Sequence, residues 1–308
     1  MTTLAYFEGE IRSIAEAKVS ITNNTLHYGT GCFAGIRAYW NDEAEQLYVF
    51  RIREHYKRLL ASAKLLRCNL DYTVDDLAKI TIDLLAQEGW RENVYIRPIV
   101  YKDEGVFRIY LHDCKDRLAI FSEPVGNLVP NKLLNVCVSS WRRVDDMAIP
   151  ARGKINGAYV NSAMAKSDAM LSGFDEAILL NHDGHISEAT AANFMMVRDG
   201  VLLTPPINAN LLEGITRRSL MLLAQNELGV SVEQRNIDRS ELYLADEAFF
   251  CGTGVQMAPI VSIDHRPVGD GNRGPITSQL GDLQTRILTA RESKYMDWLT
   301  PVHANTPA

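Results

Sequence analysis

The sequence predicts an α/β chain of α+β texture folded in two lobes, and three observations predict it. The chain has 308 residues, long for a single hydrophobic core. Short apolar strands alternate with amphipathic helices over most of that length. A Pro- and Gly-bearing stretch, Glu123-Pro-Val-Gly-Asn-Leu-Val-Pro130, interrupts the alternation. The expected organisation is an N-terminal α/β domain over residues 1–122, a linker over 123–132 and a larger C-terminal domain over 133–308. A cleft between the lobes is the expected place for a ligand.

The elements follow in order. Tyr56, Leu59, Leu60 and Ala63 recur at helical spacing and predict a helix from about Glu54 to Leu66. Thr73 with Asp76 three positions on starts a second helix, which presents Leu77, Ile80, Leu84 and Leu85 before Gly89. Val94–Val100 alternates with period two: Val94, Ile96, Pro98 and Val100 point one way, Tyr95, Arg97 and Ile99 the other. Past the linker the pattern predicts a strand at Leu134–Ser139, a helix at about Ala158–Leu171 and a strand at Ala177–Leu180. Strands at Asn193–Val197 and Val201–Leu203, a helix at about Ile215–Leu228 and a last strand at Ala248–Cys251 complete it.

Apolar residues at 46% and charged residues at 23% are ordinary globular values and exclude disorder. A net charge of −6 disfavours non-specific binding to nucleic acid or to an anionic membrane face. The five cysteines, Cys32, Cys68, Cys114, Cys137 and Cys251, are scattered and form no C-x-x-C pair, which fits free thiols in a reducing compartment. Met1–Ile21 carries Glu8, Glu10 and Glu16 and does not read as a signal peptide, and no stretch reaches the ~20 apolar residues of a membrane span. A soluble, cytoplasmic protein without a metal site is expected.

Four motifs could carry chemistry. Lys154 sits in Ala151-Arg-Gly-Lys-Ile-Asn-Gly-Ala-Tyr159, on a turn ahead of a helix, where an amine held and partly desolvated could act as a nucleophile. Alone, it reads as a solvated surface charge. Glu188 follows in Gly184-His-Ile-Ser-Glu188-Ala-Thr-Ala-Ala-Asn193, either an exposed turn acid or a carboxylate for a pyridinium nitrogen. Leu211-Leu-Glu-Gly-Ile-Thr-Arg217 opens a helix whose first N–H groups could bind phosphate or simply be capped. Cys251-Gly-Thr-Gly254 could bring backbone amides to a ligand or be a plain tight turn.

In combination these motifs resemble the fold-type IV pyridoxal-phosphate enzymes, which are D-amino acid aminotransferase-like, and specifically the branched-chain amino acid aminotransferases. The resemblance runs from about Tyr6 to Gly274–Thr277. Leu26-His-Tyr-Gly-Thr30, Phe33-Ala-Gly-Ile-Arg37, Phe50-Arg-Ile-Arg-Glu-His55 and Tyr95-Ile-Arg-Pro98 carry it in the first half. Lys154 with Tyr159, Ile186-Ser-Glu188, Glu213-Gly-Ile-Thr216, Leu242-Tyr-Leu-Ala-Asp-Glu247 and Gly252-Thr253 carry it in the second.

The resemblance implies that Lys154 forms the aldimine with pyridoxal phosphate and shuttles the substrate proton. It implies that Glu188 holds the pyridinium, Tyr159 the ring hydroxyl, and Arg53 the phosphate, with Ile215, Thr216 and Thr253. Leu212 would pack on the ring face. Tyr28, Phe33, Gly35, Tyr95 and Arg97 would line the substrate pocket; Tyr95 with Thr253 and Gly254 would take the α-carboxylate, and Arg97 the distal carboxylate of glutamate. The implied reaction is transamination between leucine, isoleucine or valine and 2-oxoglutarate, in a homodimer or larger homo-oligomer whose neighbouring subunit contributes the loop at about Gly105–Ile109.

Ala34, the loop Gly105-Val-Phe-Arg-Ile109, Glu123–Leu128, Ala191-Ala192 and Gly254-Val-Gln256 depart from the family's commonest wording. Arg108 adds a possible second carboxylate partner. These departures touch pocket loops, so transamination of (R)-amines or D-amino acids, or an aminodeoxychorismate-type lyase activity, stands as the alternative. The pair Tyr95 and Arg97 favours the L-branched-chain reading.

Overall fold

The structure, a computed structural model, describes residues 3–103, 109–125 and 133–303. The chain divides into two units: Met1–Asn127 with Gly153–Gly157 and Arg286–Ala308, and Leu128–Arg152 with Ala158–Thr285. Residues 126–132 of the expected linker lie outside the described residues. The segment from Arg286 does not stay with the second unit as the sequence reading placed it, because its strand Leu299–Pro301 pairs antiparallel with Gln46–Phe50.

The first unit is built on β1 (Leu4–Phe7), β2 (Glu10–Ser13), β3 (Cys32–Phe33), β4 (Ile36–Asn41), β5 (Gln46–Phe50), β6 (Val94–Lys102) and β7 (Asp116–Pro124). With the C-terminal strand they form an eight-stranded antiparallel sheet in the order Leu299–Pro301, β5, β4, β6, β7, β1, β2, with β3 on β6. A short α1 (Asn24–Tyr28) precedes β3, and α2 (Ile52–Leu65) and α3 (Val74–Glu88) follow β5. Thr73 and Asp76 form the reciprocal capping box read from the sequence, and Gly89 closes α3 in the left-handed conformation.

Period two along β6 sorts its residues as expected. Val94, Ile96 and Val100 are fully buried, together with Ile36 and Ala38 of β4, Val49 of β5 and Ile120 of β7. The buried faces of α2 (Ile52, Tyr56, Leu59, Ala63) and α3 (Leu77, Leu84, Leu85) supply the matching apolar surface. Each such aliphatic side chain removed from water contributes roughly 1.5–3 kcal/mol. The other face carries Tyr95 opposite Arg37, Ile99 opposite Phe33 and Arg97 opposite Phe121. One face is therefore core, and the other is free for chemistry.

The second unit contains β8 (Leu134–Arg142), α4 (Tyr159–Leu171), β9 (Glu176–Leu180), β10 (Ile186–Ala189), β11 (Asn193–Arg198), β12 (Val201–Thr204), α5 (Ile215–Leu228), β13 (Val232–Gln234), β14 (Glu247–Gly252), β15 (Gln256–Ile263), β16 (Arg266–Pro267) and α6 (Pro275–Leu288). Its nine strands run β10, β9, β8, β15, β14, β11, β12, β13, with β16 on β15, and β10 also pairs with β11. That last pairing, Glu188 opposite Asn193, closes six strands into a ring. The parallel pair β8 and β9 is bridged by α4, the crossover such a pair requires. Phe194, Met196, Phe250, Ile178, Ile186 and Ile260 pack in one apolar cluster.

Three sequence expectations change here. Ala248–Cys251 is not the last strand, since β15, β16 and Leu299–Pro301 follow. An unread helix, α6, starts at Pro275; buried Glu247 accepts from the N–H groups of Ile276 and Thr277 in its first turn, at 3.0 and 2.7 Å. Glu188 lies on a strand rather than on a turn. None of the described helices is long and apolar enough to cross a membrane.

Candidate active site

Lys154 belongs to the first unit, on a five-residue segment fastened by backbone hydrogen bonds. Its carbonyl accepts from the Phe33 N–H at 3.1 Å, and its own N–H donates to Ser62 Oγ of α2 at 3.1 Å. Cys32 and Ile155 form an isolated antiparallel bridge, and Asn156 and Gly157 donate to the carbonyls of Gly31 and Gly29 at 2.9 and 3.1 Å. A lysine so held is not a loose surface charge. Its Nζ stands 5.0 Å from the centre of the Phe33 ring.

Around that ring the sheet face assembles the expected substrate residues. The Arg97 guanidinium carbon lies 4.4 Å from the same ring centre, and Arg97 donates to Tyr95 Oη at 2.9 Å. Gly35 is required by this contact: a Cβ there would stand 2.1 Å from Tyr95 Oη. Phe33, Gly35, Tyr95, Arg97 and Lys154 thus come together. Tyr28 ends α1, half-buried, with its ring tilted against His27 at 5.9 Å. Residues 105–108 of the loop expected to close the pocket, Arg108 included, lie outside the described residues.

The structure adds Arg37 to this group. Its alternation on β4 puts it opposite Tyr95, and it is 1% exposed with its guanidinium 5.2 Å from the Tyr39 ring centre. None of its three guanidinium nitrogens makes a hydrogen bond among the described residues. A buried cation left so is costly unless an anion meets it.

Arg53 is a correction. Its side chain is 55% exposed and pairs with Asp75 of the α3 first turn. Helix phase is the reason: Ser62, which touches Lys154, lies nine residues on, about two and a half turns, and so on the opposite side of α2. Arg58, four residues before Ser62, shares the Ser62 side and is half-buried; Ser62 Oγ donates to its carbonyl at 2.8 Å. The signal was present in the sequence as helical spacing.

The second unit holds a separate constellation. Glu188 is 5% exposed. Its Oε1 receives Arg143 Nε at 2.9 Å, and its Oε2 receives Asn193 Nδ2 at 2.9 Å and the Leu212 N–H at 3.2 Å. Asn193 Nδ2 also donates to the Leu212 carbonyl at 2.9 Å. Ile215 and Thr216 open α5, buried, after Gly214, which offers no side-chain cap, so the first-turn N–H groups are available to an anion. Thr253 and Gly254 form the β14–β15 turn, Thr253 half-buried and Gly254 exposed. Tyr159 starts α4, half-buried. Arg217 donates through Nε to Thr204 Oγ1 and through Nη2 to the Pro205 carbonyl and Gln234 Oε1.

The first unit thus offers a primary amine on a fixed segment, and the second, described by itself, a buried carboxylate and a helix N-terminus without a side-chain cap. The profile of the class IV amino-transferases matches residues 31–263 of this sequence. The chain belongs to that family. This class IV aminotransferase is 47% identical to the probable branched-chain-amino-acid aminotransferase of Aquifex aeolicus over 97% of its own length and 96% of the relative's. The branched-chain aminotransferase of the archaeon Thermoproteus uzoniensis, solved with norvaline, superposes with a TM-score of 0.94 at 40% identity, over 98% of this chain and 100% of that one. That of Thermobaculum terrenum in its PLP form gives 0.94 at 38% identity, over 98% and 99%.

Among the described residues no cluster of His, Cys, Asp or Glu could hold a metal ion. All five cysteines are free, and burial pushes the Cys68 and Cys251 thiols up to about 12, out of the nucleophilic range at neutral pH.

Proposed function

We propose that this aminotransferase uses pyridoxal phosphate to exchange amino groups between branched-chain L-amino acids and 2-oxoglutarate. The carrying observation is the sheet face beside Lys154, where the Phe33 ring offers an apolar wall and Arg97 a cation for a distal carboxylate. Such a face admits leucine, isoleucine or valine and also glutamate. The names of the relatives point the same way.

Pyridoxal phosphate, when bound, supplies the electron sink that lets a Cα proton leave. Lys154 would carry the cofactor and, as the mobile base, would take up and return the substrate Cα proton. Glu188 would accept from the ring nitrogen and favour its protonated form. Tyr159 would hold the ring hydroxyl and Leu212 would cover a ring face. Arg58, in place of Arg53, would hold the phosphate, as would the first-turn groups of Ile215 and Thr216 and Thr253. Tyr95, the Thr253 and Gly254 amides and Arg37 would take the α-carboxylate; Tyr28, Phe33 and Gly35 would shape the side-chain pocket.

The working form is a homodimer or larger homo-oligomer in the cytoplasm, where five unpaired thiols are compatible with a reducing medium. Its partners are small amino acids and 2-oxo acids. An amino-donor panel with 2-oxoglutarate or pyruvate as acceptor tests the function. Leucine, isoleucine and valine are expected to lead; faster turnover of D-alanine or of an (R)-aryl amine, or pyruvate release without amino transfer, would overturn it.

A further inference from the structure

We propose that Arg143 is a positioning residue that keeps Glu188 ionised and aimed, and thereby keeps the cofactor's ring nitrogen protonated. The inference rests on the aminotransferase reading above and deepens it, since Arg143 itself touches neither substrate nor cofactor in that reading.

The geometry carries it. Arg143 follows directly on β8 and is anchored at its backbone, where its N–H donates to the Leu180 carbonyl at 2.8 Å. Its Nε reaches Glu188 Oε1 at 2.9 Å and the Asn210 carbonyl at 3.3 Å. The two side chains are 10% and 7% exposed, so the pair is shielded from water. Burial alone favours the neutral acid, because a carboxylate loses hydration that low-dielectric surroundings do not replace. A neutral Glu188 would give a pyridine nitrogen no reason to stay charged. The guanidinium opposes that tendency, and the amide of Asn193 with the Leu212 N–H fixes the second oxygen.

Asn193 is held to this task by sterics. A Cβ at Gly214 would lie 1.9 Å from Asn193 Oδ1, so the start of α5 comes close enough to pin the amide only because residue 214 is glycine. The carboxylate is thereby held from β8, β11 and the α5 approach at once.

Two further ionisable groups among the described residues feel Glu188, and neither replaces Arg143. Arg217 of α5 feels its charge, but its guanidinium is engaged by Thr204, Pro205 and Gln234. Cys251 of β14 is also in electrostatic range and stays neutral, since burial pushes its thiol up to about 12.

The test uses the full-length holoenzyme and the variants Arg143→Ala, Arg143→Lys, Glu188→Gln and the double variant Arg143→Ala/Glu188→Gln, with far-UV circular dichroism to check folding. Two quantities are read: the rate of the half-reaction with L-leucine, and the pH titration of the bound cofactor's absorbance. A charge-assisted hydrogen bond of this kind predicts that Arg143→Ala slows the half-reaction about ten- to a hundredfold and displaces the titration. Arg143→Lys should recover most of both, and the double variant should be no slower than Glu188→Gln alone. An Arg143→Ala enzyme with unchanged rate and titration, or a loss that multiplies onto that of Glu188→Gln, overturns the proposal while leaving the aminotransferase reading intact. Wild-type protein on which borohydride fixes no cofactor would overturn both.

Discussion

The two constellations of polar residues are bonded in opposite ways. In the second unit the Glu188 carboxylate takes donors from Arg143, Asn193 and the Leu212 backbone, so both of its oxygens are occupied. On the sheet face of the first unit, Arg37 is as deeply buried, yet its guanidinium makes no hydrogen bond among the described residues, and Arg97 Nε makes none either. A permanently bound group calls for a carboxylate fixed in advance, because every loose rotamer would weaken its hold. A substrate that comes and goes calls for cations whose partner arrives with it. On the proposed function, the difference separates residues that would anchor the cofactor from residues that would receive the amino acid.

Breaking the chemistry itself has the largest expected effect. Lys154→Ala should lower turnover by at least about a thousandfold, since it removes both the cofactor's attachment and the mobile base; single-turnover absorbance with leucine measures it. The next largest lies on the anchoring side. Arg58→Ala should weaken pyridoxal phosphate binding about ten- to a hundredfold, as loss of a charged phosphate contact implies, whereas Arg53→Ala should leave it unchanged within about twofold. Equal effects in a titration of cofactor-free protein would restore Arg53 to the role that the resemblance first assigned it.

The receiving side should respond with selectivity rather than with cofactor loss. Arg97→Ala is expected to raise KM for 2-oxoglutarate about tenfold or more, the weight of one charge-assisted bond, while KM for leucine changes little. The smallest effect is one of opposite signs. Arg37→Met should stabilise the cofactor-free protein by about 1 kcal/mol, because an unpaired buried cation is replaced by an apolar chain of similar size. It should at the same time raise KM for both leucine and 2-oxoglutarate. A fall in the thermal midpoint of Arg37→Met would show that Arg37 is a satisfied structural residue and erase the contrast.

Much of this was legible in the residues. Apolar positions at helical spacing, with Thr73 as a start and Gly89 and Gly229 as stops, place α2, α3 and α5 within about two residues of their observed ends. Alternation along β6 correctly put Tyr95 and Arg97 on one face. The strand bearing Glu188 was not legible, because all four residues of β10 are buried and no polar alternation marks it, while its flanking Ala, Thr and Gly suggest a turn. Arg143 and Asn193 escaped for another reason: their partner Glu188 is 45 residues from the one and across a strand pairing from the other, and such contacts leave no local pattern. Arg53 was chosen because a motif names residues without their helical phase, which puts its side chain on the exposed side of α2 beside Asp75. The return of the C-terminal segment to β5 is likewise a long-range pairing, invisible in the segment itself.

The central claim is that Lys154 carries the cofactor, and one measurement tests it most directly. The protein is loaded with pyridoxal phosphate, reduced with borohydride, digested, and its peptides are read by mass spectrometry. The account predicts a single phosphopyridoxyl-modified peptide containing Lys154, lost when the protein is first converted by leucine. A modification on another lysine, or none, would contradict it.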